Sequence, residues 1–75
     1  MEDRLFKIAA DTMKTSEEVA RKNYKELVDY NAVYFWNPER GGIAVIVGFD
    51  GEKLGAMSGI SFDEHLRNYL EGRRN

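Results

Sequence analysis

The chain of 75 residues has no cysteine, a single proline, a single histidine and no long apolar run. Without cysteine, disulfide bonds, thiolate metal sites and a cysteine nucleophile are excluded. A transition-metal site would need carboxylates around one imidazole, so we expect no metal and no cofactor. The polar start, Glu2, Asp3 and Arg4, leads into no signal peptide or membrane span. We therefore expect a cytoplasmic protein without a membrane partner.

Neither sign of charge dominates, because 11 Lys and Arg residues stand against 13 Asp and Glu residues, for a net charge of −2. Both signs are dispersed along the chain, which leaves no electrostatic footprint for nucleic acid. Four aromatic residues could stack on bases: Tyr30, Tyr34, Phe35 and Trp36. Strand alternation, however, places Tyr34 and Trp36 on one face and Phe35 on the other, and the next strand adds no basic residues. We expect no nucleic-acid partner.

The length predicts one small domain over residues 1–75. A chain this short removes only about 60% of its unfolded surface from water on folding. Oligomerisation is a common remedy for such a thin stability margin. The length therefore favours a homodimer.

Three segments have helical patterns. Residues 2–14 carry apolar side chains on one side of a helical wheel, although a strand over residues 4–10 is the alternative. Thr15 and Glu18 form a capping-box pattern that predicts a second helix ending at Asn31. Ser61 and Glu64 form another before a third helix, whose stripe of Phe62, Leu66, Tyr69 and Leu70 should face a sheet.

Residues 32–58 are typical of an antiparallel meander. Residues 32–36 are aromatic and β-branched, residues 43–49 are almost wholly apolar, and a third strand ends before Gly59. Asp50 and Gly51 predict a two-residue hairpin turn. We expect an α+β fold with a three-stranded antiparallel meander, two N-terminal helices and one C-terminal helix, in the order ααβββα.

The two-residue turn places Phe49 opposite Glu52 and so assigns every residue of the hairpin to a face. One face holds an apolar set of core size, on which all the helices should pack: Ile43, Val45, Val47, Phe49, Leu54 and Ala56. The other face is shallow and still largely apolar: Ala44, Ile46, Gly48, Lys53, Gly55 and Met57. Val33 or Phe35 of the first strand should extend this face, and the register of that strand depends on whether the six-residue turn after it contains a bulge that exchanges its faces.

An apolar sheet face without cover marks a partner surface. The leading hypothesis is a non-enzymatic interaction module that self-associates through this face as a homodimer. The predicted self-association surface comprises Val33, Ala44, Ile46, Gly48, Gly55 and Met57.

The alternative hypothesis is a module that binds a small molecule or peptide on the glycine-lined face, with the loop 36–42 as its rim. This loop offers an indole, a carboxamide, a guanidinium and glycine amides, which together suit a phosphate or carboxylate. The predicted binding residues are Trp36, Asn37, Arg40, Gly41 and Gly42. A plain turn, with Trp36 at the edge of the core, is the simpler interpretation.

Ser61, Asp63 and His65 supply a hydroxyl, a carboxylate and an imidazole within five positions. Ser61 is better used as a helix cap and Asp63 already complements the helix dipole. His65 borders the apolar stripe, where an imidazole usually completes packing. We predict no catalytic residue and no enzymatic activity.

Overall fold

The fold is an antiparallel meander with helices on both of its faces. The computed structural model describes residues 2–39, 41–57 and 59–75. The elements are α1 (Asp3–Met13), α2 (Glu17–Lys22), β1 (Tyr24–Leu27), a 3₁₀ turn (Val28–Tyr30), β2 (Ala32–Trp36), β3 (Ala44–Gly48), β4 (Lys53–Ala56) and α3 (Phe62–Leu70). The strands form one sheet in the order β1-β2-β3-β4. The α+β class is confirmed, but the sheet has four strands where three were predicted.

The helix predicted near the start of the chain is confirmed as α1, and the alternative strand is not formed. Leu5, Phe6, Ala9 and Met13 are buried along one side of it, as the spacing predicts. Lys14 ends the helix in the left-handed conformation, with φ of 57°. Of the described helices, none combines the length and apolar character needed to cross a bilayer.

The second helix is much shorter than predicted. Its N-cap is Ser16 rather than Thr15, because the Ser16 hydroxyl accepts from the Val19 N–H over 3.3 Å. The helix ends at Lys22, where Asn23 leaves the helical conformation and its side-chain amide donates to the Val19 carbonyl over 2.8 Å. An asparagine that competes for backbone groups favours a helix end at this point.

Residues that were predicted to continue this helix form β1 instead. The Tyr24 ring packs edge-on against Phe6, with 5.4 Å between ring centroids, and lies 6.1 Å from Phe35. The Trp36 N–H donates to the Asn23 carbonyl over 3.2 Å at the start of the β1–β2 ladder. Packing and strand pairing therefore outweigh a weak local helix propensity.

The turn between β3 and β4 has three residues, not the predicted two. The Gly48 N–H donates to the Glu52 carbonyl over 2.8 Å and closes a loop of residues 49–51. Gly51 has φ of 91° but Asp50 has no positive φ, which excludes the predicted type I′ turn. Because the register shifts by one residue, Leu54 pairs with Ile46 rather than with Val47.

The sheet separates two cores. The α1 face carries Val33, Phe35, Val45 and Val47, which pack against α1 and α2. The α3 face carries Leu27, Ala32 and Ile46, which cluster with Tyr69 of α3 and with the partly buried Tyr34, Leu54, Phe62 and Leu66. The prediction that all helices pack on one face is wrong. The shifted register places the Leu54 side chain on the same face as Ile46, which gives this face an apolar surface on which α3 packs.

Candidate functional site

His65 and Ser61 both have structural roles. The Ser61 hydroxyl accepts from the Glu64 N–H over 3.2 Å, so its predicted capping role is confirmed. His65 is buried, and its Nε2 donates to the Leu54 carbonyl over 2.7 Å, which ties α3 to β4. Burial lowers the pKa of the imidazole, and the Leu54 hydrogen bond opposes that shift. These contacts favour a neutral imidazole that fastens the helix to the sheet.

The predicted self-association surface is not a continuous surface. Val33 and Ile46 are fully buried on opposite faces of the sheet, and α3 covers Ile46. Gly48 is also buried, because the Tyr69 hydroxyl lies directly over it. The premise of an uncovered Ile46 face is therefore wrong. Of that set, Met57 is the strongly exposed member, at 77%.

The helix α3 leaves one end of its face uncovered. This is the end of the sheet where the last residue of β2 lies beside the first residue of β3. The helix starts at Phe62, which packs on Tyr34 with 4.7 Å between ring centroids, and it does not reach the Trp36 and Ala44 row. A groove of about 220 Å³ remains there, which we call the Trp36 groove. Its lining is Tyr34, Trp36, Asn37, Gly42, Ile43, Ala44, Met57 and Ile60.

The predicted binding loop contributes in part to this groove. Trp36, Asn37 and Gly42 line it, whereas Gly41 occupies the turn with φ of 77°. Asn37 Oδ1 accepts from the Glu39 N–H over 3.0 Å, so the carboxamide mainly holds the loop. Arg40 lies outside the described residues, and its predicted anion contact stays a prediction. The described part of the loop thus contributes the Trp36 ring, the Asn37 side chain and Gly42 to the groove.

An apolar ridge borders the Trp36 groove, formed by Ile43, Met57 and Ile60, and we call it the Met57 ridge. Met57 and Ile60 are exposed, and Ile43 is partly buried. A second groove of about 280 Å³, the Gly55 groove, lies against the outer edge of β4. Ile43 and Met57 line both grooves. The exposed methionine therefore stands between two grooves, either of which is large enough to receive an apolar side chain.

A larger cavity of about 550 Å³ lies near the opposite end of the α3 face, beside the carboxyl end of α3. Its walls include Tyr30, Phe49 and Tyr69, together with the carboxylates of Asp29 and Asp50. We call it the Tyr69 cavity. The Arg74 guanidinium lies 3.6 Å from the centre of the Tyr69 ring and donates to the Tyr69 carbonyl. Burial raises the pKa of the Tyr69 hydroxyl, and Arg74 opposes that shift.

Sequence reasoning missed Ile60, Ile43 and the Tyr69 cavity as candidate sites. Ile60 follows Met57 by three positions in a segment between strand and helix, and two large apolar residues so placed are a usable signal of an exposed patch. The Tyr69 cavity offered no such signal, because its walls come from three segments that lie far apart in the sequence.

The chain was compared with protein-family models, with curated proteins and with solved structures, and no match was found. The geometry of the site alone therefore carries the functional argument.

Proposed function

We propose that the protein is a non-enzymatic interaction module that self-associates through the Met57 ridge. The observation that carries this proposal is the 77% exposure of Met57 between two grooves. A long, flexible apolar side chain in water gains free energy when it enters such a groove. Because Val33 and Ile46 are buried, we place the proposed interface at the open end of the α3 face and not at the centre of the sheet.

The size of the Trp36 groove favours a side chain over a whole metabolite as its occupant. Small-molecule sites usually enclose about 300–1,000 Å³, whereas this groove has about 220 Å³. Since ridge and groove adjoin on one surface, a two-fold axis can place each Met57 in the groove of the other copy. Such self-complementarity is what a two-fold interface requires.

The area that such an interface needs is within reach of this chain. A stable interface buries about 800 Å² per partner, which is about one sixth of the 4759 Å² of accessible surface. The ridge alone is smaller than this, so it would serve as the anchor of a wider contact. Its side chains, Ile43, Met57 and Ile60, are all uncharged.

Sedimentation velocity of the wild-type chain and of Met57→Asp tests the proposal. A carboxylate brought into an apolar interface loses hydration without a partner, so we expect the dissociation constant to rise about 100-fold or more. The matched control is Val28→Asp, because Val28 is an equally apolar residue, 68% exposed, away from the ridge. Val28→Asp should leave association unchanged, and equal loss in both variants would contradict the assignment of the surface.

A second candidate function is ligand binding in the Tyr69 cavity, whose 550 Å³ fall within the range of small-molecule sites. Arg74 already places a guanidinium on an aromatic ring of this cavity, near two carboxylates. A ligand with a guanidinium or alkylammonium group suits such walls. Arginine methyl ester should raise the melting temperature of the wild type more than that of Asp29→Asn. Equal melting shifts would contradict this site.

A further inference from the structure

The Tyr69 cavity carries charged side chains of both signs that do not pair with each other. Arg74 lines it together with Asp29 and Asp50. The ion pairs among the described residues include none of these three side chains. One guanidinium and two carboxylates thus border the same space of about 550 Å³ without neutralising one another.

The Arg74 guanidinium is held in place and keeps donors to spare. It stacks on the Tyr69 ring, and its Nη1 donates to the carbonyls of Tyr69 over 2.7 Å and of Arg73 over 2.6 Å. The N–H donors of Nε and Nη2 take no part in these bonds. Since its bonded acceptors are uncharged carbonyls, the guanidinium can still bind a carboxylate through two parallel hydrogen bonds.

An opposite charge lies near the hydroxyl end of the same ring. Asp50 Oδ1 accepts from the Glu52 N–H over 2.9 Å, which leaves Oδ2 outside that bond. A Cβ at Gly48 would meet both Asp50 Oδ1 and Tyr69 Oη, so the carboxylate and the hydroxyl are neighbours. Burial raises the pKa of the Tyr69 hydroxyl, Arg74 lowers it and Asp50 raises it further. Both charges are therefore close enough to act on one ring.

Two other rings of the cavity are available to a ligand. Arg74 covers the Tyr69 ring, which is buried, whereas Tyr30 and Phe49 are each 44% exposed. Both line the same cavity as the Asp29 and Asp50 carboxylates. A cation that binds these carboxylates would also gain from the faces of the two rings.

We infer that the ligand of the Tyr69 cavity is a basic amino acid, whose carboxylate binds Arg74 and whose two cationic groups bind at Asp29 and Asp50. This inference rests on the second proposed function, ligand binding in this cavity, and names the ligand class. A ligand with cationic groups alone would be repelled by Arg74, and an anion by the two carboxylates. A basic amino acid matches all three charges, and a cavity of this size holds a small molecule.

Isothermal titration of the wild type with L-arginine and with arginine methyl ester tests the carboxylate contact. The ester lacks the carboxylate and keeps both cationic groups at about pH 6, below the ordinary pKa of an α-amino group. An exposed ion pair contributes modestly, and bidentate geometry places it in the upper part of that range. We therefore expect L-arginine to bind about three- to fivefold tighter than the ester. Equal or tighter binding of the ester would overturn the inference.

Arg74→Gln assigns this preference to one side chain. We expect L-arginine and the ester to bind the variant equally well, because the counter-ion of the carboxylate is gone. Arg73→Gln is the matched control, since Arg73 is the neighbouring arginine, pairs with Glu71 over 3.9 Å and lies outside the cavity lining. It should keep the preference. A preference that survives in Arg74→Gln, or is lost equally in both variants, would overturn the role of Arg74.

The outcomes separate this inference from the function on which it rests. If the two compounds bind the wild type equally, the cavity is a ligand site and the inferred ligand class is wrong. If neither compound binds, the ligand site and the inference both fail. Self-association through the Met57 ridge is judged separately by molar mass, because the ridge lies near the other end of the α3 face.

Discussion

The two faces of the sheet differ in how completely they are covered. On the α1 face, Val33, Phe35, Val45 and Val47 have no exposed surface, and every side chain of that core is apolar. On the α3 face, Tyr34, Leu54, Phe62 and Leu66 are only partly buried. A groove opens near one end of α3 and a cavity near the other.

The difference indicates that the two faces of the sheet have different roles. The α1 face has apolar contacts on all sides, so it supplies most of the packing free energy. The α3 face is covered by a helix of 9 residues, which is about 14 Å long and too short to close both ends. Stability is therefore concentrated on one face, and the surfaces suited to partners or ligands lie on the other.

The largest expected effect is on the α1 face. Phe35→Ala removes a fully buried ring that lies 5.7 Å from Phe6 between centroids. We expect a loss of about 3–5 kcal/mol in the free energy of unfolding. Phe62→Ala, the matched change on the α3 face, should cost about half as much because that ring is only partly buried. Urea denaturation measures both, and equal losses would remove the distinction between the faces.

Gly48→Ala tests how closely α3 packs on the sheet beside Tyr69. A Cβ at this position would lie 2.5 Å from Tyr69 Oη and 2.6 Å from Asp50 Oδ1, so the Tyr69 ring must move. We expect about 1–3 kcal/mol of destabilisation. Gly59→Ala is the control, because a Cβ there has no neighbour within 4 Å among the described atoms. If both variants unfold at the same urea concentration, the close packing of Tyr69 on β3 is contradicted.

The pH dependence of stability tests the single buried imidazole of the α3 face. His65 has a folded-state pKa below its ordinary value of 6.5, mainly through burial. Between the two pKa values the unfolded chain binds the proton more readily, so stability falls as the pH drops below about 6.5. Above that value His65 should contribute no slope.

The measurement is the unfolding free energy of the wild type and of His65→Gln from neutral to mildly acidic pH. Carboxylates that titrate in this range affect both chains alike. The difference in unfolding free energy between wild type and variant therefore reports on the imidazole alone. The wild type should lose more stability on acidification than the variant. Parallel curves would mean that His65 is not held in its neutral form.

The smallest expected effect is that of the Met57 ridge on the stability of the monomer. Met57 makes little contact with its own chain, so Met57→Asp should change the unfolding free energy of dilute protein by about 0.5 kcal/mol or less. Chemical denaturation at low concentration measures this. A large loss would show that the residue belongs to the core and would remove it as an interface anchor.

Local patterns in the sequence predicted the helices at both ends, the strand of residues 32–36 and the Ser61 cap. The conversion of residues 24–27 into β1 was not predictable, because it depends on the contacts of Tyr24 with Phe6 and Phe35. The face assignment failed because the β3–β4 turn has three residues instead of two, which moves every side chain of β4 to the opposite face. Of the predicted site residues, Trp36, Asn37, Gly42, Ala44 and Met57 do meet at one groove.

The most direct test of the account is the molar mass of the wild-type chain, measured by light scattering across a wide dilution series. We expect the mass to rise with concentration from the 8.6 kDa of the single chain toward twice that value. A mass that stays at 8.6 kDa at every concentration would contradict self-association through the open end of the α3 face.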